Sequence, residues 1–219
     1  MDIYERIPDK LDPGANWRPQ IPNASMPSLI AHTITGYAIA RGYELGKAVP
    51  YSSRLTRRYG WLAIAVLLAN LPDLDFIPQL LLNERFHHGP THSVLFVLVV
   101  AATAWILATA YARKHRGAIV ALTLMLYASH LILDLLSQGG YGIQLFWPFS
   151  SQYIQSPVQI FPPVRYSRGL IDPSHLQFVA FELAYTALVI GAVWTVQLLK
   201  RLVEGRRSPS ASPSEKLPL

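Results

Sequence analysis

Residues 93–111, SVLFVLVVAATAWILATAY, carry no charge over 19 positions. That is close to the roughly 20 apolar residues a helix needs to cross the hydrocarbon core of a bilayer. In lipid every backbone polar group must be satisfied within the segment, so an isolated run of this kind has to be a helix. Two further runs have the same character. Residues 117–137 carry only His130 and Asp134, and residues 176–199 carry only Glu182 before ending at Lys200 and Arg201. Asp172 and Pro173 precede the latter as a cap followed by proline at the first helical position. Residues 61–82 are strongly apolar but interrupted by Pro72, Asp73, Asp75 and Pro78. Proline removes a backbone donor and crowds the preceding turn, and a broken membrane helix is tolerated where the freed backbone faces protein or a cavity. Residues 28–46 are moderately apolar, with His32 near their start, and could span the membrane or lie at its surface. The chain therefore reads as an all-α integral membrane helix bundle of four or five transmembrane helices, with a broken helix at LPDLD.

The flanks differ in character. Residues 1–27 contain several prolines and four acidic residues, with no early apolar run, so they read as an irregular arm and not as a secretory signal. Residues 28–204 form the expected membrane domain, and the Ser/Pro-rich residues 205–219 the expected disordered tail. The net charge of +6 could suggest nucleic acid, but the basic residues lie between apolar runs, so topology explains them and no nucleic-acid partner is expected. If the run from residue 61 starts in the cytoplasm, segments 41–60, 112–116 and 200–219 face the cytoplasm with five, three and five Lys/Arg, thirteen in all. The opposite loops, 83–92 and 138–175, hold three: Arg85, Arg165 and Arg168. This asymmetry selects the orientation by the positive-inside rule. The aromatic run FWPFS at 146–150 fits an interfacial belt on the outer side.

Metal-ligand residue types are concentrated in greasy surroundings. LPDLDFIPQLLLNERFHHGPTHS at 71–93 holds Asp73, Asp75, His87, His88 and His92. His130 and Asp134, four residues apart, share one helix face. Ionisable residues inside a membrane are costly and mark functional sites. Taken singly, each has a plainer reading: His32 as a hydrogen-bonded core residue, His130 with Asp134 as a structural pair, HHGPTHS as a polar interfacial loop. The topology, however, puts His32, Asp73, Asp75, His87, His88, His92, His130 and Asp134 toward one side of the membrane, and His115 on the other. That convergence points to a metal or proton site. His88 and His92 have helical i, i+4 spacing, but Gly89-Pro90 between them disfavours continuous helix. Adjacent residues rarely face one ion, so spacing alone leaves His87 the weaker candidate. His175, at the start of the last run, is an outer-side residue better read as surface. With no cysteine, thiolate sites and disulfides are excluded. Imidazole with carboxylate suits zinc, or manganese or iron, and the number of ligands allows one or two ions.

The order of these motifs resembles the YdjM family of predicted membrane-bound, inner-membrane metal-dependent hydrolases, over about residues 28–150. The matching positions are His32, Asp73, Asp75, Thr91, His92, Ser93, His130, Asp134, Trp147 and Pro148. In the register of the family's H-x-G-x-T-H-S segment, His87 takes the first histidine and His88 stands where the family has arginine. The resemblance thus implies His32, Asp73, Asp75, His87, His92, His130 and Asp134 as metal ligands. It leaves His88, Thr91, Ser93 and Trp147 as supporting or substrate-binding residues. More distantly, His130-x-x-x-Asp134 with an upstream Asp and His resembles the zinc-dependent phospholipase C and nuclease superfamily, which implies phosphoester hydrolysis.

The expected function is metal-dependent hydrolysis of a phosphodiester or lipid ester, with a metal-activated water as nucleophile and Asp73 or Asp75 as base. The bilayer is the expected partner, with the site toward the outer, periplasmic face of the inner membrane. A metal-ion or proton transporter is the main alternative, although residues 93–111 offer it no polar path. A scaffold stapled by metal is the third reading, and would leave no open coordination position.

Overall fold

Each long apolar run forms a helix, and each ends where its residues can no longer sustain one. The computed structural model describes residues 29–46, 55–82, 87–138, 141–162 and 173–207. Helix α1 is Leu29–Gly46, α2 Leu55–Ala69, α3 Phe76–Leu82, α4 Val94–Tyr111, α5 Arg116–Leu135 and α6 Ser174–Arg207. A short 3-10 turn, Pro72–Asp75, separates α2 from α3, where proline at the first position cannot continue the α2 ladder. A second, Pro90–His92, leads into α4, whose first turn is capped by the Ser93 hydroxyl accepting from the Phe96 N–H at 3.2 Å. The expected arm lies outside the described residues; so does the expected tail, apart from the end of α6, which runs through Arg207.

Among the described residues, three helices are long and apolar enough to cross a membrane. A fourth span results if the segments Gly60–Ala69 and Pro72–Gln79, bent by 60°, count as one broken crossing. α1 is not among them, since Arg41, Glu44 and His32 dilute its apolar character. It packs against α2, α5 and α6. The exposed apolar side chains of α4 and α6, such as Leu98, Ile106, Leu188 and Trp194, are what lipid-facing helices present. At about 1.5 Å per residue, the 34 residues of α6 exceed the hydrocarbon thickness, so one end projects beyond it.

Small residues set how closely α1 and α2 approach. Ala40, Ala65 and Ala69 form a buried cluster with Leu122 and Leu126 of α5. A Cβ on Gly36 would stand 2.6 Å from the Ala69 Cβ. Close backbone approach through small residues is how membrane helices gain packing energy. The three-residue turn Arg113–His115 makes α4 and α5 an antiparallel hairpin. The start of α4 and the end of α5 therefore lie at one end of the bundle, beside the α2–α3 bend and the start of α1. Segment 141–162 covers that end through single backbone bridges, Ile143 with Ile154 and Ser137 with Phe161, and through Val94 N–H to Leu145 O at 2.9 Å.

Gly36→Leu should overpack the α1–α2 contact and cost about 1–3 kcal/mol. Thermal unfolding in detergent should show a lowered midpoint, partly restored when Ala69→Gly is added. An unchanged midpoint would show that this contact does not limit stability.

Candidate metal centre at one end of the bundle

Four elements deliver the candidate residues to one place. α1 brings His32, the bend brings Asp73 and Asp75, the turn before α4 brings His87, His88 and His92, and α5 brings His130 and Asp134. His32, His87, His88, His92, His130, Asp75 and Asp134 are buried. The Asp73 side chain keeps 19 % exposure, against 0 % for His92 and His130 and 1 % for Asp134, so Asp73 is where water reaches the group.

The donor atoms are closely and evenly spaced. His92 Nε2 and His130 Nε2 each lie 3.2 Å from Asp134 Oδ2. The two nitrogens are 3.3 Å apart. Asp73 Oδ1 lies 3.3 Å from His130 Nε2 and 3.6 Å from His92 Nε2. Four ligands at the 2.0–2.1 Å typical of zinc–nitrogen bonds would be separated by about 3.3–3.4 Å on the edges of a tetrahedron. The five distances given are close to that value, and these groups could hold a metal ion.

The proton positions agree. His130 Nδ1 lies 2.7 Å from the Ala69 carbonyl, which can only accept, so the proton is on Nδ1. His92 Nδ1 hydrogen-bonds to the Thr91 hydroxyl at 3.1 Å, which itself donates to Asp75 Oδ2, and lies 3.2 Å from that oxygen. The two Nε2 atoms, 3.3 Å apart, are the nitrogens that face each other and the carboxylates of Asp134 and Asp73. Although they face imidazole nitrogens at 3.2–3.4 Å, neither Asp134 oxygen receives a well-aligned hydrogen bond among the described residues. Carboxylates buried in this way need a positive partner, a protonated imidazole or a metal cation. Burial disfavours charge on His92, but the close carboxylates of Asp134, Asp73 and Asp75 overcome this and raise its basicity well above the usual histidine range. The same anionic surroundings favour a metal cation.

Asp75, expected among the ligands, stands one layer out. Its oxygens take His87 Nδ1 at 2.7 Å, the Thr91 hydroxyl at 2.6 Å and His92 Nδ1. A carboxylate behind a ligating histidine fixes tautomer and ring orientation. His32 stacks on His130 at 3.7 Å between centroids and points Nε2 at Asp134 Oδ1, 3.4 Å away. Ser93 is spent on the turn and on capping α4, donating to Pro90 O at 2.7 Å. Among the described residues, no hydrogen bond or ion pair joins the Trp147 side chain to this group; its backbone N–H bonds to Gln144 O at 3.1 Å. His88 donates Nδ1–H to the Gly142 carbonyl at 3.2 Å, and burial pushes its imidazole down to about 3. His115 lies at the opposite end, in the α4–α5 turn.

Sequence reasoning missed three supports. The Ala69 and Gly142 carbonyls have no residue-type signal, although a glycine is required at 142: its φ is +83° and a Cβ would collide with Ile154 O. Tyr127 reads in sequence as one more apolar helix position, but its hydroxyl donates to Thr91 O at 2.7 Å and ties α5 to the histidine turn.

A family model described as "YdjM inner membrane protein" matches residues 26–201. "Inner membrane protein YbcI" of Escherichia coli (strain K12) is 29% identical over 187 residues, covering 77% of this chain and 98% of that protein. No solved structure matches the chain.

Tyr127→Phe should remove one buried hydrogen bond and cost about 1 kcal/mol, read as a lower unfolding midpoint at unchanged helix content. An unaltered midpoint would mean that this tie contributes nothing.

Proposed function

Because the chain belongs to the YdjM inner membrane protein family and gathers this donor set, we propose that it is a membrane-bound metal-dependent hydrolase whose substrate is a phosphodiester or ester carried by a lipid. The observation that carries the reading is the gathering of His92 Nε2, His130 Nε2 and Asp134 Oδ2 within 3.2–3.3 Å of one another, with Asp73 Oδ1 3.3 Å from His130 Nε2 on the water-accessible side, where a zinc that expands to five-coordination takes a water. Nitrogen and carboxylate donors without thiolate favour zinc, with manganese the second choice.

A divalent metal held there supplies an activated water and a Lewis acid for the scissile P–O or C–O bond. The protein's own contributions are positional. Asp75 and Ala69 O fix the His92 and His130 rings, and His32 faces the outer oxygen of Asp134. Asp73, open to water, is placed to take the proton released as water attacks. Asp75, already accepting from His87 and the Thr91 hydroxyl, is left to orientation.

The choice of a lipid rests on an apolar groove of about 410 Å³ beside the centre, lined by Leu71, Leu74, Pro78, Pro90 and Phe96. Its polar lining residues are Asp75 and Thr91, which adjoin His92. Exposed Leu74, Ile77 and Leu81 continue it onto the surface of the bent span, so an acyl chain can lie there with its head group toward the centre. The thirteen-to-three distribution of Lys/Arg favours the periplasmic side for this end.

Detergent-purified protein should retain divalent metal by elemental mass spectrometry and lose it in His130→Ala and in Asp73→Ala. The loaded protein should hydrolyse a phospholipid or bis(p-nitrophenyl) phosphate, and chelator should abolish this. No retained metal in a folded, metal-supplied sample would sink the proposal. Because protons compete for the same nitrogens, affinity should weaken as pH falls through the raised range of His92, by about one log unit per pH unit for each proton displaced. A pH-independent affinity would contradict histidine ligation. The chain has no cysteine, so introduced ones report cleanly. Phe149→Cys should react with an impermeant maleimide on intact spheroplasts and Lys114→Cys should not; the reverse pattern would invert the topology.

A further inference from the structure

We infer that the site takes a second divalent cation, bound by His87 and His88 and completed by an oxygen of the substrate. This rests on the metal reading above and adds to it a second ion with its own ligands. Both side chains are buried, and among the described residues the Nε2 atom of each finds no hydrogen-bond partner. Their other nitrogens are accounted for. His87 Nδ1 lies 2.7 Å from Asp75 Oδ1, and His88 Nδ1 lies 3.2 Å from Gly142 O. Both acceptors demand a proton on Nδ1, which leaves a lone pair on each Nε2. An imidazole tied at one nitrogen to a carboxylate or carbonyl, with the other nitrogen bare, is the usual posture of a metal-ligating histidine.

Adjacent side chains normally diverge, yet these two rings lie 4.1 Å apart between centroids. His88 sits in the left-handed region at φ 65°, a conformation unfavourable for any residue with a Cβ, and the bond from Gln144 N–H to His88 O at 3.0 Å fixes it. One ring nitrogen each from His87, His88 and His92 lies within 4.8 Å of the others. His92 itself is already committed, with Nδ1 at Asp75 and Nε2 among Asp73, Asp134 and His130. The second ion therefore has two protein ligands of its own, with its remaining positions open, next to the first. Two ions so placed can clamp the attacking and leaving oxygens of one displacement.

The test is zinc stoichiometry of the full-length protein in detergent, by equilibrium dialysis and elemental mass spectrometry. Three samples are compared: wild type, His88→Asn and His87→Gln. Asparagine tolerates the left-handed backbone, so His88→Asn removes the imidazole without adding strain. If His88→Asn fails to fold, His87→Gln carries the comparison. The expected result is about two equivalents in wild type and about one in each folded variant. One equivalent in wild type would overturn the second ion and leave the hydrolase reading standing, and none would overturn both. Two equivalents retained in the variants would overturn the assignment to His87 and His88, with the bare nitrogens then serving water alone.

Discussion

Carboxylates are not buried among apolar helices unless something positive stands beside them, and that requirement shapes the end of the bundle where Asp73, Asp75 and Asp134 meet five histidines. His92, whose basicity the carboxylates raise, meets part of it, and among the described residues neither Asp134 oxygen has an aligned donor. In the proposed reading a metal cation meets the rest. The surrounding groups then have clear work: Asp75 and the Ala69 carbonyl hold two rings, and Tyr127 holds the turn that carries one of them.

The architecture follows from bringing those atoms together without exposing backbone to lipid. The bend after Ala69 puts Asp73 and Asp75 in a 3-10 turn, where alternate residues are not forced to opposite sides of one helix. It also leaves the Ala69 carbonyl free to accept from His130. The short α4–α5 turn fixes the two helices as neighbours, so His92 and His130 meet although 38 residues separate them. Gly36 lets α1 come close enough to α2 and α5 for His32 to stack on His130.

Much of this was legible in the residues. The apolar runs at 93–111, 117–137 and 176–199 correspond to α4, α5 and α6, because uncharged length and flanking Ser, Gly and Pro are local signals. The break at Pro72 was legible for the same reason. α6 runs several residues past its apolar stretch, since Lys200, Arg201, Leu202 and Glu204 are good helix formers. In the site, residue types identified the members but not their layers. Asp73 and Asp75 look alike in LPDLD, and the bend alone decides that one reaches the inner group while the other backs His92. Helical spacing favoured His88 and motif register favoured His87; a left-handed residue brings both together, which neither spacing nor register encodes. Carbonyl acceptors such as Gly142 O belong to tertiary contact and leave no mark on side-chain identity.

X-ray absorption at the zinc edge of the loaded, detergent-purified protein reads the ligands of the ion themselves. Ligation by His92 and His130 gives a first shell of nitrogen and oxygen only, near 2.0–2.1 Å, with the outer-shell scattering of imidazole rings. A shell of oxygens alone at longer distance, with no imidazole scattering, would contradict it, because the ion would then be held by water or surface carboxylates and not by His92 and His130.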